Sequence, residues 1–141
     1  MDADVLLAVG VSAAAGLETA FKAAGHQTQL KRGDDSDPIP GLLQVRDRFG
    51  NRVDLLLGLR GIDPQAFARV ISVPFRGTSL NFIGREDFIA MKAFAGGPID
   101  LDDAARAIAA AGSALDRGLV RRLARRYGNE ASAILDQLLS P

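Results

Sequence analysis

Apolar and polar residues follow two different periods along the chain. Short apolar runs bounded by Gly, Pro or Asp predict strands over residues 3–9, 27–31, 42–46, 52–57, 70–75 and 80–83. From Glu86 onward the apolar residues recur with the helical period of about 3.6. They predict helices over residues 86–95, 100–111, 116–127 and 129–139. One earlier helix is predicted to run from Ser12, as its N-cap, to about Ala24.

This order of elements, with strands first and helices later, predicts an α+β fold in which a helical bundle follows a mixed β-sheet. Residues 42–46 and 52–57 form a predicted hairpin around Phe49-Gly50-Asn51. Neither a linker nor an internal repeat interrupts the pattern. We therefore predict a single domain over residues 1–141, with a sheet part at 1–84 and a helical part at 85–141.

Composition narrows the function only slightly. The 141 residues include 17 Lys or Arg and 17 Asp or Glu, so no overall charge favours a nucleic-acid or membrane partner. The chain has no cysteine, which excludes disulfides and thiol chemistry and fits a cytoplasmic protein. No apolar run reaches the length of about 20 residues that a membrane span needs. We expect a cytoplasmic protein with no membrane partner.

Three aspartates stand beside the two most apolar strands. Asp2 and Asp4 precede Val5-Leu6-Leu7, and Asp54 precedes Leu55-Leu56-Leu57. Both runs are typical of strands that are buried on both faces. Alternation places Asp2 and Asp4 on one face, and clustered acids repel one another unless a cation joins them. Oxygen ligands suit Mg²⁺.

A structural interpretation of the same acids stays open. Asp2 is then a chain-end residue, Asp4 an acid at a strand end, and Asp54 an ion-pair partner of Arg52 or Arg46. On its predicted strand, Asp54 shares a face with Arg52 and Leu56.

Several segments together resemble the nucleotidyltransferase superfamily, in particular the small bacterial branch that includes AbiEii-type toxins. In chain order they are DADVLL with Asp2 and Asp4, RVDLLLG with Asp54, REDFIAMKAFAG over 86–96 with the Arg before it, and IDLDDA over 99–104. The resemblance implies a nucleotidyltransferase fold in which Asp54 lies next to Asp2 and Asp4.

The resemblance also implies a reaction and its residues. It implies transfer of a nucleoside monophosphate from an NTP to a protein or RNA acceptor, with Mg²⁺ held by Asp2, Asp4 and Asp54. Asp54 is then also the candidate proton acceptor, and Lys92 contacts the nucleotide phosphates as a catalytic and nucleotide-binding residue. Asp100 and Asp103 are the further candidates for nucleotide contact.

Each of the last three residues has a structural alternative. Lys92 lies on an apolar helix stripe with Phe88, where its stem can pack on the core and its ammonium can reach water. Asp100 is placed to cap the helix that begins near it, and Asp103 stands at the position of its capping-box partner.

The chain departs from the family pattern at Ile99, where a basic residue is expected before Asp100, and more seriously at its start. A Gly-Ser or Gly-Gly turn that holds the triphosphate normally precedes the D-x-D pair, whereas Met1 stands directly before Asp2 here. The second hypothesis is therefore a non-catalytic module of the same fold, toxin–antitoxin-like or regulatory. Such a module would leave a sheet edge and an apolar face uncovered, which predicts a homodimer.

The last candidate is an arginine-rich helix. Arg117, Arg121 and Arg125 recur every four residues, with Arg122 and Arg126 beside them. A solvated amphipathic helix is the favoured explanation. The more specific hypothesis is a surface that contacts the phosphates of tRNA or another nucleic acid.

Overall fold

A computed structural model gives the fold of residues 2–35 and 37–140, and the side chain of Asp2 lies outside the part that it describes. The chain forms two compact units that divide after Arg60. The strands and the helix of the first unit are β1 (Asp2–Leu7), α1 (Ala14–Ala23), β2 (Gln27–Arg32), β3 (Gly41–Arg46) and β4 (Arg52–Leu57).

The first unit is built on a four-stranded sheet in the order β1-β4-β3-β2. Strands β1 and β4 are parallel, whereas β4–β3 and β3–β2 are antiparallel, so the predicted mixed sheet is confirmed. The predicted β3–β4 hairpin is confirmed as well. Asp47 closes its turn, because Oδ1 accepts hydrogen bonds from the backbone N–H groups of Phe49 and Asn51 at 2.8 and 2.9 Å.

One face of this sheet forms the core of the first unit. Leu43 and Leu57 are fully buried, and Leu17 and Phe21 of α1 pack against that cluster. Strand β1 is at the edge of the sheet and Val5 is 39% exposed, so the prediction of burial on both faces is wrong for β1.

The second unit begins with a capped turn. Asp63 accepts a hydrogen bond from the N–H of Gln65 and caps the 3₁₀ turn Pro64–Ala68. The elements that follow are β5 (Ile71–Phe75), β6 (Thr78–Phe82), α2 (Arg85–Ala95), α3 (Pro98–Ala111), α4 (Arg117–Tyr127) and α5 (Asn129–Leu138). All four helices predicted for this region are confirmed, with ends shifted by at most two residues.

The helices of the second unit share one apolar core. Ile89 of α2, Val120 of α4 and Leu135 of α5 are all fully buried in it. Gly96 ends α2 in the left-handed conformation, with φ +67°, which glycine adopts without steric cost. Among the described residues, no helix is both long enough and apolar enough to cross a membrane.

Strands β5 and β6 form a separate two-stranded sheet. Arg76 and Gly77 join them, both with positive φ, as a type I′ hairpin turn requires. The register places all the large apolar side chains on one face and small or polar residues on the other. The apolar face holds Ile71, Val73, Phe75, Leu80 and Phe82, each 42–52% exposed.

Candidate functional site

Two of the three predicted metal ligands are neighbours in the sheet. Asp4 of β1 and Asp54 of β4 are register partners on parallel strands, so their side chains leave the same face. Asp4 is exposed and, within the described part of the chain, its carboxylate makes no hydrogen bond or ion pair. Like charges directly opposite each other destabilise a sheet. The pairing thus creates a local negative charge that a cation would relieve.

Asp54 has protein partners as well. Its Oδ2 accepts a hydrogen bond of 3.3 Å from the side-chain amide of Gln44, and its Oδ1 lies 3.2 Å from Nε of Arg52. This second contact is an ion pair without the alignment of a hydrogen bond. Oδ1 is buried, and it accepts no hydrogen bond from the described residues. The structural alternative for Asp54, an ion pair with Arg52, is therefore present, and one carboxylate oxygen still has unused acceptor capacity.

The third predicted ligand, Asp2, has its side chain outside the described part. Its backbone is in register with Arg52, two residues before the Asp4–Asp54 pair. Among the side chains that are described, no three of His, Cys, Asp and Glu stand together as a metal-binding group would require. Asp4 and Asp54 are a pair that needs a further oxygen donor to hold Mg²⁺.

Lys92, Asp100 and Asp103 form an ion-paired cluster in the second unit. The ammonium of Lys92 lies 2.7 Å from Asp100 Oδ1 and 2.9 Å from Asp103 Oδ2. It also stands 5.6 Å from the centre of the Phe88 ring. Hydrogen bonding to Asp100, and secondarily to Asp103, raises the pKa of Lys92 above its usual value. The three residues predicted to contact the nucleotide thus meet, with two negative charges on one positive charge.

This cluster corrects the capping expectation for both acids. Gly97 is the N-cap of α3, with Pro98 first in the helix, and no side chain of the described residues caps it. Asp100 lies in the first turn and Asp103 in the second, and both point to Lys92. The carboxylates prefer a cationic partner on α2 to the backbone N–H groups of their own helix.

A buried ion pair went unrecognised in the sequence. Asp87 is only 3% exposed and accepts two hydrogen bonds from Arg69, at 2.8 and 2.7 Å, while Asp63 accepts a third at 3.0 Å. Hydrogen bonding to Asp87 raises the pKa of Arg69. The available signal was the position of Asp87 on the stripe of Ala90 and Ala93, where an acid needs a basic partner.

Four arginines surround a cleft beside this pair. The cleft, of about 340 Å³, is lined by Arg69, Arg122, Arg125 and Arg126, together with Asp63, Leu119 and Leu123; we call it the arginine cleft. Arg126 is fixed by hydrogen bonds of 3.0 and 3.1 Å to the carbonyl oxygens of Gly61 and Ile62. The helix that carries most of these residues was predicted, but the cleft was not.

The comparisons with known proteins add no family. No protein-family model matches the chain, and no curated protein matches it. Membership of the nucleotidyltransferase superfamily therefore stays a proposal that depends on the motifs around Asp4, Asp54 and Lys92.

Proposed function

We propose that the chain is a nucleotidyltransferase-like protein that transfers a nucleoside monophosphate from an NTP to a protein or RNA acceptor in the cytoplasm. The observation that supports this proposal most is the register of Asp4 with Asp54 on parallel strands. The resembled motifs occur in family order along nearly the whole chain. A buried, unsatisfied oxygen on Asp54 and a partner-free carboxylate on Asp4, as judged among the described residues, suit an oxygen-liganded cation.

In the proposed reaction, an acceptor hydroxyl attacks the α-phosphorus of the NTP. A new oxygen–phosphorus bond forms, the bond to the bridging oxygen breaks, and pyrophosphate leaves. Mg²⁺, when bound, supplies charge neutralisation at the phosphates. Asp4, Asp54 and Asp2 are the residues assigned to hold it, and Asp54 is also assigned to accept the hydroxyl proton.

The resemblance assigns Lys92 to the triphosphate, and it assigns Asp100 and Asp103 to further contacts with the nucleotide. A charged ammonium suits that role, and pairing with Asp100 and Asp103 raises the pKa of Lys92 further above neutral pH. The cluster carries one net negative charge, so a triphosphate gains attraction only when a carboxylate leaves Lys92. Nucleotide binding is therefore expected to release Asp103, the more exposed of the two acids.

The proposal is tested by thermal unfolding with Mg²⁺ and ATP. Saturating ligand, at about one hundred times its Kd, adds about 2.7 kcal/mol to the free energy of unfolding and raises Tm by several degrees. The double variant Asp4→Asn, Asp54→Asn should lose the shift. The control Asp102→Asn, an exposed acid paired with Arg106 on α3, should keep it.

Transfer itself is followed with α-labelled NTP, Mg²⁺ and total RNA or protein as the acceptor pool. Label should enter the macromolecular fraction with wild type and the control but not with the double variant. An unshifted wild type, or equal shifts in wild type and the double variant, would remove Asp4 and Asp54 from the site.

A second candidate is a non-catalytic interaction module that forms a homodimer, and the β5–β6 hairpin favours it. An isolated two-stranded sheet is marginally stable in water. Five half-exposed apolar side chains leave an apolar face of about 500 Å². Two such faces together bury about 1,000 Å², the lower limit for a specific interface.

A further inference from the structure

Two of the four arginines in the arginine cleft already donate hydrogen bonds to other groups of the protein. Arg69 is bonded to Asp87 and Asp63, and Arg126 holds two backbone carbonyl oxygens. Arg122 and Arg125 are exposed, and their side chains make neither a hydrogen bond nor an ion pair within the described part of the chain. The guanidinium groups of the cleft that have unused donors for a ligand are therefore mainly those of these two side chains.

Two other arginines of α4 do have partners within the protein. Arg117 donates a hydrogen bond of 3.0 Å to the carbonyl oxygen of Leu139, and Arg121 pairs with Asp136 at 3.0 Å. The helix contains no acidic residue between 117 and 127. Of its five arginines, the two without partners among the described residues are the two that, with Arg126, line the cleft.

We propose that the arginine cleft binds the phosphate backbone of a polynucleotide. A guanidinium matches phosphate oxygens with two parallel hydrogen bonds. Residues three apart on a helix have Cβ atoms about 5–6 Å apart, so Arg122 and Arg125 reach one short stretch of backbone. The lining residues include no aromatic side chain for stacking on bases, and contacts to phosphates carry no sequence information, so we expect binding that is independent of sequence.

A free nucleotide has the same phosphate chemistry, but a polynucleotide suits this cleft better. Exposed arginines gain little from one solvated anion, because water screens the contact. A strand with successive phosphates releases a counterion at each one, and these gains add. Residues of the first unit take no part, so the inference is independent of the proposed transfer reaction.

The test is fluorescence anisotropy with labelled single-stranded RNA and DNA of equal length, without Mg²⁺ or NTP, at increasing KCl. The variant is Arg122→Gln, Arg125→Gln. The matched control is Arg76→Gln, Arg106→Gln, which removes the same charge from two exposed residues elsewhere in the second unit. Circular dichroism confirms that each protein is folded.

The cleft variant should bind at least tenfold more weakly than wild type at low salt. Its slope of log K against log salt should fall by about 1.4, because each single-strand phosphate contact contributes about 0.7. The control should stay within about twofold of wild type, which is the margin expected for surface charges outside the contact. Arg122→Lys, Arg125→Lys keeps the charge and should restore most of the slope.

Four results would overturn the inference. Equal weakening by both glutamine variants would show a general charge effect, and an unchanged salt slope would show that the cleft makes no phosphate contact. In a separate titration of the preformed complex with ATP, displacement of the labelled oligonucleotide at equal concentration would identify a small-nucleotide site instead. RNA and DNA binding alike would support contact through phosphates alone, whereas a strong RNA preference would contradict it.

Discussion

At the scale of single residues, Tyr127 is the one tyrosine of the chain and lies next to the arginine cleft in sequence. Its ring stacks on Phe94 with centroids 4.8 Å apart. Burial, and secondarily the negative charge of Asp87, raises the pKa of its phenol above the usual value of about 10. The folded state therefore favours the neutral phenol.

We predict that the stability of the protein falls as the pH rises above about 10, because the unfolded chain loses the Tyr127 proton more readily than the folded chain. Lys92 acts in the same direction, since its pKa is also raised in the folded state. Phenolate absorbance should titrate above pH 10 in the native protein and near 10 in guanidinium. Tyr127→Phe should leave only the shallower dependence that remains from lysine, and a native midpoint near 10 would contradict the assignment.

At the scale of the elements, the β5–β6 hairpin has an apolar face and a polar face. Matched substitutions can therefore be made on the two faces. The double variant Val73→Lys, Leu80→Lys charges the apolar face, and Ser72→Lys, Asn81→Lys places the same charge on the other face. If the hairpin forms the homodimer, sedimentation velocity at micromolar concentration should show dimers for wild type and for the polar-face variant. The apolar-face variant should sediment as a monomer.

A monomeric wild type would exclude the dimer at that concentration. Dissociation by both variants would show that charge, rather than the apolar face, controls association.

Most elements could be predicted from the sequence, whereas the cap of α1 could not. All six strands and the four C-terminal helices are where the apolar periods place them, because burial on one face imposes those periods. Ser12 was expected to cap α1, but Ala13 occupies the N-cap position and no side chain caps the helix there. A cap depends on how the chain enters the first turn, which the apolar period does not specify.

In the candidate site, too, the contacts that strand pairing determines could be predicted, whereas the contacts that tertiary packing determines could not. The Asp4–Asp54 pairing follows from two apolar strands and the family resemblance, since one strand register determines it. The partners of Asp87 and Asp100 are chosen by tertiary contact, 18 residues away for Asp87 and on the preceding helix for Asp100. The local sequence does not indicate which basic side chain contacts each of these two acids in the folded protein.

At the scale of the whole molecule, the two units have separate hydrophobic clusters. Leu43 is fully buried in the first cluster and Leu135 in the second. Truncating either leucine to alanine leaves a cavity and should cost about 2–5 kcal/mol. We predict that amide hydrogen exchange speeds up in the unit that carries the substitution and is unchanged in the other.

In the double variant Leu43→Ala, Leu135→Ala, the two decreases in the free energy of unfolding should then add. Faster exchange throughout the chain after either single substitution would show that the molecule unfolds as one cooperative whole.

Gly61 opens the second unit under an unusual constraint. Its φ is +84°, and a Cβ there would stand 2.7 Å from Cδ1 of Tyr127 and 2.8 Å from the carbonyl oxygen of Arg126. Since Arg126 in turn bonds to the carbonyl of Gly61, only glycine fits this position. Genes that encode the same unit should therefore keep glycine at this point, an Arg-Tyr pair about 65 positions later, and the Arg69–Asp87 couple between them. That spaced signature would allow distant homologues to be recognised even where the D-x-D motif has been lost.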